Sequence, residues 1–373
     1  MRTTIVVLTQ SCFLAAIVAV SVTGIEAGEA IELARGAGQK TPEQPQLAID
    51  GKGGVHVIYG VGDTVCYHRS TDGGKHFSKP VEVSFANKMS LGMRRGPRVA
   101  ATEKGICIVA IGGKQGKGRD GDLLAMHSAD DGKTWTGPVQ VNDVAGSGRE
   151  GLHALAAGPK GEMCCAWLDL RNDKTEIMAS TSSDGGKTWS KNVLVYASPD
   201  GSVCECCHPS VAVDERGRIS VQFRNSLGGN RDIYLSVSAD GGKTFGKATK
   251  LGAGSWHLGA CPMDGGAVAI AADQTVSAWR RDKSIYLTRA GAPGERLLGN
   301  GEQPWIAATK DGPYVVWVSK RGVDGYLLSP GHQSPAKFGS HVTDPVIATR
   351  QGGQKPVVMA WESHHSIQVQ VVE

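Results

Sequence analysis

The sequence predicts an all-β protein built from repeated four-stranded antiparallel modules. The stretch 182–189, Ser-Ser-Asp-Gly-Gly-Lys-Thr-Trp, recurs with small changes at 70–77, 128–135 and 238–245, so successive starts lie 58, 54 and 56 residues apart. Self-similarity at one long period is the mark of equivalent units stacked side by side. Between the repeats, short apolar segments alternate with period two, as Val55, Val57 and Tyr59 do, which is strand spacing and not helix spacing. The 51 glycines among 373 residues are what a chain with many tight turns requires. No stretch reads as a convincing helix.

Taken in order, the chain begins with Arg2, an apolar run at 12–20 and small residues at Ala27 and Ala30. That is the three-part pattern of a secretory signal, and the run is short for a membrane span. Residues 1–27 are therefore expected to be a cleaved signal, 28–373 a single domain, and the protein secreted or periplasmic, with no membrane attachment after cleavage. Lys and Arg number 40 against 36 Asp and Glu, with no basic run, which gives nucleic acid and anionic membranes no footing.

Residues 30–34 alternate and are predicted as a strand. The first module follows, with strands at 46–50, 55–59, 64–69 and 81–83. Later modules begin at Pro97, Leu152, Pro209, Pro262, Pro304 and Pro345, which makes seven modules, with six as the alternative. Third strands at 285–289 and 325–328 continue the plan where the repeat itself is missing. The last module offers only 346–348, 357–361 and 367–371 before the chain ends, so 30–34 is expected to supply its fourth strand. Within each repeat the Asp accepts backbone amides across the turn, the glycines supply positive φ, and the final Trp or Phe packs the turn onto the sheet.

The pattern Ser-x-Asp-x-Gly-x-Thr-Trp/Phe resembles the Asp-box (BNR repeat) of the sialidase superfamily, and four copies make the chain similar to a sialidase-like Asp-box β-propeller. The resemblance implies a ring of four-stranded blades, closed here by the N-terminal strand, with the Asp-boxes on the face away from the ligand. It also implies an acidic-glycan ligand, bound and in the enzymes hydrolysed at the mouth, without a cofactor. Three arginines would grip the sugar carboxylate, since planar bidentate donors fit it. Arg95-Gly96-Pro97 resembles the family's first Arg motif, and Asp120 stands near the place of the acid/base Asp. Cys207-His208-Pro209 resembles the family's Asn-Glu-Pro, with Arg224 at the second arginine and Arg280 or Arg281 at the third. Two departures stand out: His208 replaces the Glu, and Gln303-Pro304-Trp305 lies where the Tyr nucleophile is expected. The Tyr/Glu pair is not found, which leaves open whether the chain is an enzyme. Alternatively, these arginines pair with loop carboxylates such as Asp232 and Asp282.

A second site is legible in the cysteines. Cys204, Cys206, Cys207 and His208 precede one module, and Trp256, His257, Cys261 and Met263 precede the next, so the two segments should be neighbours. In an exported protein one reading is a disulfide from Cys204, Cys206 or Cys207 to Cys261. The other is a copper or zinc site built from Cys204, Cys206, Cys207, His208, His257 and Cys261, or a redox site on the same residues. A non-catalytic interaction scaffold is the third functional class. Cys164 and Cys165, adjacent on a strand, are expected to point to opposite sides and pack in the core, as are Cys66 and Cys107.

Overall fold

The computed structural model describes residues 28–37, 40–85, 88–115, 120–148, 151–350 and 352–373. The expected export signal, 1–27, lies outside them. Among the described residues there is no helix, and the strands sort into four-stranded antiparallel sets.

The first set is Glu43–Ile49, Val55–Val61, Thr64–Ser70 and Val81–Ser84. The second is Arg98–Thr102, Gly105–Gly113, Asp122–Ser128 and Thr136–Gln140, with the short strand Lys88–Met89 added at the far end of Gly105–Gly113. His153–Ala157, Met163–Asp169, Glu176–Ser182 and Val193–Tyr196 form the third. Ser210–Val213, Ile219–Arg224, Ile233–Ser238 and Thr249–Lys250 form the fourth. Ala267–Ala271, Gln274–Arg281, Ser284–Arg289 and Arg296–Asn300 form the fifth. It begins later than the Pro262 expected from sequence, because the intervening residues are held by side-chain bonds described below.

The C-terminal end departs from a simple repeat. One long strand, Ala336–Arg350, serves two sets. Its first part pairs with Val323–Leu328, next to Gly312–Val318 and Glu302–Thr309, and its second part pairs with Gln354–Ser363. Ser366–Val371 follows, and Ile31–Arg35 lies antiparallel against it, with Ile31 opposite Val369. Arg350 also meets Ile49 of the first set in parallel register.

The packing explains the period-two pattern. Adjacent sets face each other through apolar clusters, such as Ile58 and Tyr67 of the first against Ile108 and Met126 of the second. Each fully buried side chain of this size contributes about 1.5–3 kcal/mol. Trp167, Trp279, Trp317 and Trp361 are all buried in such seams. Cys164 and Cys165 lie in different clusters, as alternation along a strand requires. The first strands of the sets together line one cavity of about 240 Å³. Each contributes an alanine to it (Ala48, Ala100, Ala156, Ala212, Ala269, Ala307 and Ala348), because only small side chains let so many strand edges converge.

The four Asp-box turns share one geometry. In the third, Ser182 Oγ donates to Asp184 Oδ1 (2.8 Å) and accepts from Gly186 N (2.9 Å), while Asp184 Oδ1 accepts from Lys187 N and Thr188 N. The same bonds recur from Ser70, Ser128 and Ser238. Hydrogen bonds from the Thr134 hydroxyl and amide hold Asp130 down to about 2. These turns join third to fourth strands, so they share one end of the sheets. The starts of the first strands share the other.

Candidate functional site

At that other end, residues standing immediately before a proline turn inward. Gln44, Gln303 and Asp344 precede Pro45, Pro304 and Pro345, and all three have positive φ (58°, 57° and 49°). Bulky residues rarely adopt this conformation, and when held there they mark sites whose surroundings over-determine them. Here the surroundings are a belt of hydrogen bonds. Asp344 Oδ2 accepts from Gln44 Nε2 and Oδ1 from Gln303 Nε2, both at 2.8 Å. Asp344 N donates to Gln303 Oε1, and Gln303 N donates to Asp264 Oδ2. Gly96, also before a proline, leaves room for this belt: a Cβ there would lie 2.7 Å from Gln44 Cβ.

Arg94 fills the middle. It is 1% exposed, its guanidinium lies 3.3 Å from Asp344 Oδ1 and over the Trp305 ring, and it donates to the carbonyls of Gln303 and Pro345. His208 stacks on the same Trp305, and burial drives its imidazole to the neutral form. Arg321 reaches Asp344 Oδ2 from the rim at 3.0 Å. Beside it stands the half-buried Glu362, whose Oε1 accepts from Gln44 N at 2.6 Å. Burial, and then the Asp344 carboxylate, push Glu362 up to about 8, against the pull of the Gln44 amide and Arg321. At neutral pH Glu362 therefore carries a proton beside a carboxylate, the split expected of an acid and its partner.

The arginines singled out by the sequence are distributed differently from a convergent triad. Arg224 is 1% exposed and donates to the carbonyls of Asp264, Arg231 and Arg280. Arg280 pairs with Glu302 at 3.0 Å and donates to the Asp282 carbonyl. Arg224 and Arg280 share the Trp256 ring, at 5.3 and 5.5 Å. Arg281 is turned to Glu295 and the Tyr286 ring. Half-buried Arg95 closes a tight turn with Gly92 through its backbone amide. Asp120 accepts the amides of Lys114 and Gln115 in its own loop.

The cysteine segments do converge. Cys206 and Cys261 form a disulfide with a Cα–Cα distance of 6.2 Å, which pins the loop before the fourth set to the loop before the fifth. Cys204 Sγ lies 3.5 Å from Cys207 Sγ and 3.6 Å from Cys206 Sγ, and the last two are 3.9 Å apart. Met263 packs on the three, its sulfur 3.6 Å from Cys261 Sγ. Cys204, Cys206 and Cys207 are the group of described Cys, His, Asp and Glu residues whose metal-binding atoms gather within 4.8 Å, and none of His208, His257 and Cys261 is among them. Cys204 N donates to the Arg224 carbonyl, so this cluster and the arginine of the glycan reading are one neighbourhood. The hydrogen bond shared with Cys207, opposed by burial and aided by Arg224 and Arg231, brings Cys204 down to about 6.

Two features escaped the sequence reading: Gln44 and Asp344 as the bonds of the belt, and the proton held on Glu362. The signal available for the first two was a polar residue before the recurring proline.

Comparison with known proteins agrees with this architecture. Residues 99–256 match the BNR repeat-like domain family. Among solved structures, the chain is similar to an α-L-arabinanase of Penicillium chrysogenum complexed with arabinobiose (13% identity, 93% of this chain and 98% of that one, TM-score 0.58). It is also similar to a polysaccharide lyase family 25 ulvan lyase bound to a GlcA(1-4)Rha3S chain (12%, 92% and 96%, TM-score 0.55). A third similar structure is a Hadza microbial sialidase (15%, 89% and 65%, TM-score 0.52). At these identities the likeness is one of fold. No curated protein matches the chain.

Proposed function

We propose, on the premise that the chain has the sialidase-like BNR-repeat fold, that it is a carbohydrate-binding propeller whose mouth hydrolyses an acidic glycan with Glu362 as proton donor. In this reading residues 1–27 are an export signal, and 28–373 are one seven-bladed ring closed by the N-terminal strand and secreted or periplasmic. The observation that carries the chemistry is the pairing of Glu362 with Asp344 through Gln44. A glycosidic oxygen leaves as an alcohol only if a proton reaches it, and a carboxylic acid still protonated near neutral pH is the group that delivers one. Asp344, buried and held from several sides, is a positioning residue that keeps the proton on Glu362. Arg321, exposed, and Arg280, half-buried, stand on the rim beside carboxylates and supply positive potential for an acidic sugar. Carbohydrate ligands in the arabinanase and the ulvan lyase of the same fold support the reading.

The test is Glu362→Gln, assayed with arabino-oligosaccharides, uronate-containing oligosaccharides and sialosides. Gln keeps an oxygen for Gln44 N but has no proton to give. Turnover should fall about 10²–10⁴-fold with KM little changed. The wild-type rate should decline as pH rises through about 8, as Glu362 loses its proton, and the variant should lack that limb. Failure of the wild-type protein to bind any of these sugars in calorimetry would overturn the reading.

A further inference from the structure

The sulfur cluster shares no residue with the carboxyl pair and is not used by the glycan reading. Its geometry is specific. In the plane of Cys204, Cys206 and Cys207 Sγ, the point equidistant from all three lies about 2.1 Å from each, so a metal with bonds of ~2.3 Å stands ~0.9 Å out of that plane. That is a three-sulfur seat with one position left over. Cys261 Sγ, bonded to Cys206, and Met263 Sδ, 3.6 Å from Cys261 Sγ, are the adjacent sulfurs for the fourth position. The three seat cysteines are buried, whereas Cys261 is exposed. Thiolate and thioether donors without oxygen or imidazole select a soft ion, and the thioether favours Cu(I) over zinc.

We propose that Cys204, Cys206 and Cys207, with Met263 and Cys261 beside them, form a Cu(I) site that the Cys206–Cys261 disulfide keeps closed until a dithiol reduces it. The steps balance. A thiolate of the dithiol attacks Cys261 Sγ, the exposed sulfur, and the S–S electron pair leaves with Cys206, which takes up a proton. The second thiol of the dithiol resolves the mixed disulfide and frees Cys261. The reductant ends as a disulfide, and Cys206 and Cys261 each end with one hydrogen. Cu(I) then displaces the thiol protons, which pass to solvent. Exchange with a small disulfide, which leaves as two thiols, re-forms the Cys206–Cys261 bond, removes one corner of the seat and releases the ion. Attack at the exposed sulfur is the step that access permits, since the other three cysteines lie behind it.

The experiment uses the full chain after export and signal removal. Protein left oxidised and protein reduced with a dithiol and freed of it under argon are each titrated with Cu(I) against a bicinchoninate competitor. The reduced protein should take up about one Cu(I) per chain and the oxidised protein less than about a tenth of that, with Cu–S distances near ~2.3 Å by X-ray absorption. This comparison needs no variant, so a folding defect cannot confuse it. Cys207→Ser should lose the uptake, Cys261→Ser should bind Cu(I) without prior reduction, and Cys164→Ser, in a different cluster, should behave as wild type. Equal uptake before and after reduction overturns the gate. Uptake no greater than that of Cys207→Ser overturns the site. Neither result touches the glycan reading, whose test is turnover or sugar binding.

Discussion

The two ends of the sheets use hydrogen bonds in opposite ways. At the Asp-box end every latch is local: Ser182, Asp184, Gly186 and Thr188 satisfy one another within a single turn, and the arrangement is repeated from Ser70, Ser128 and Ser238. In the belt at the mouth the side chains bond across long stretches of sequence: Gln44 reaches Asp344 across 300 residues and Glu362 across 318. Repetition makes the first end redundant, whereas the second exists once and all its members depend on one another. Redundant local geometry suits a scaffold. A single network with buried charge suits chemistry, because its members shift one another's proton affinity.

The contrast is broken most severely at Asp344. Asp344→Ala removes the partner of buried Arg94 and of two buried glutamine side chains at once, and is expected to cost about 3–5 kcal/mol in urea unfolding. Removing one latch should cost far less. Ser182→Ala leaves the buried Gly186 amide without its acceptor, worth about 1–2 kcal/mol, and combining it with Ser238→Ala should add almost independently. A mouth variant as mild as the latch variant would remove the distinction between the two ends.

Acid and alkali should separate the ends more finely. Asp130, lowered to about 2 from 3.8, contributes stability that is present above the unfolded value and lost as pH falls through the folded one. Glu362 has the opposite sign. Raised to about 8 from 4.5, its contribution is fully present below 4.5 and lost as pH rises through 8. The melting temperature followed over this range should therefore fall at both extremes, and Glu362→Gln should flatten the alkaline arm alone.

The same division decides what the sequence made legible. The latches are local and periodic, so turns, strand order and the missing fourth strand at the end of the chain could all be read, and Ile31–Arg35 does lie against Ser366–Val371. The pairing of the cysteine segments was legible for the same reason: both precede successive modules, and Cys206 meets Cys261. Arg224 shows the limit. Its position in the module was clear, but whether its guanidinium faces a ligand or three carbonyls depends on loops that no period governs. The proton on Glu362 was hidden for a related reason, since it is set by burial, by Asp344 on the paired strand and by Gln44, 318 residues away. Of the long strand Ala336–Arg350 only the part after Pro345 was read, as the start of the last module, because a proline inside a strand reads as a break.

The pairing of the two chain ends also has a consequence for synthesis. Gln370 Nε2 donates to the Gly28 carbonyl, a partner made 342 residues earlier. At ribosomal rates the N-terminal strand waits on the order of half a minute for its neighbours to emerge. Throughout that interval Ile31, Leu33 and Ala34 have no sheet to join, and an unpaired strand is an invitation to other chains. The segment is short and carries Glu32 and Arg35, which pair with each other, so charge guards it during the wait. Its pairing waits until residues 366–371 have been made.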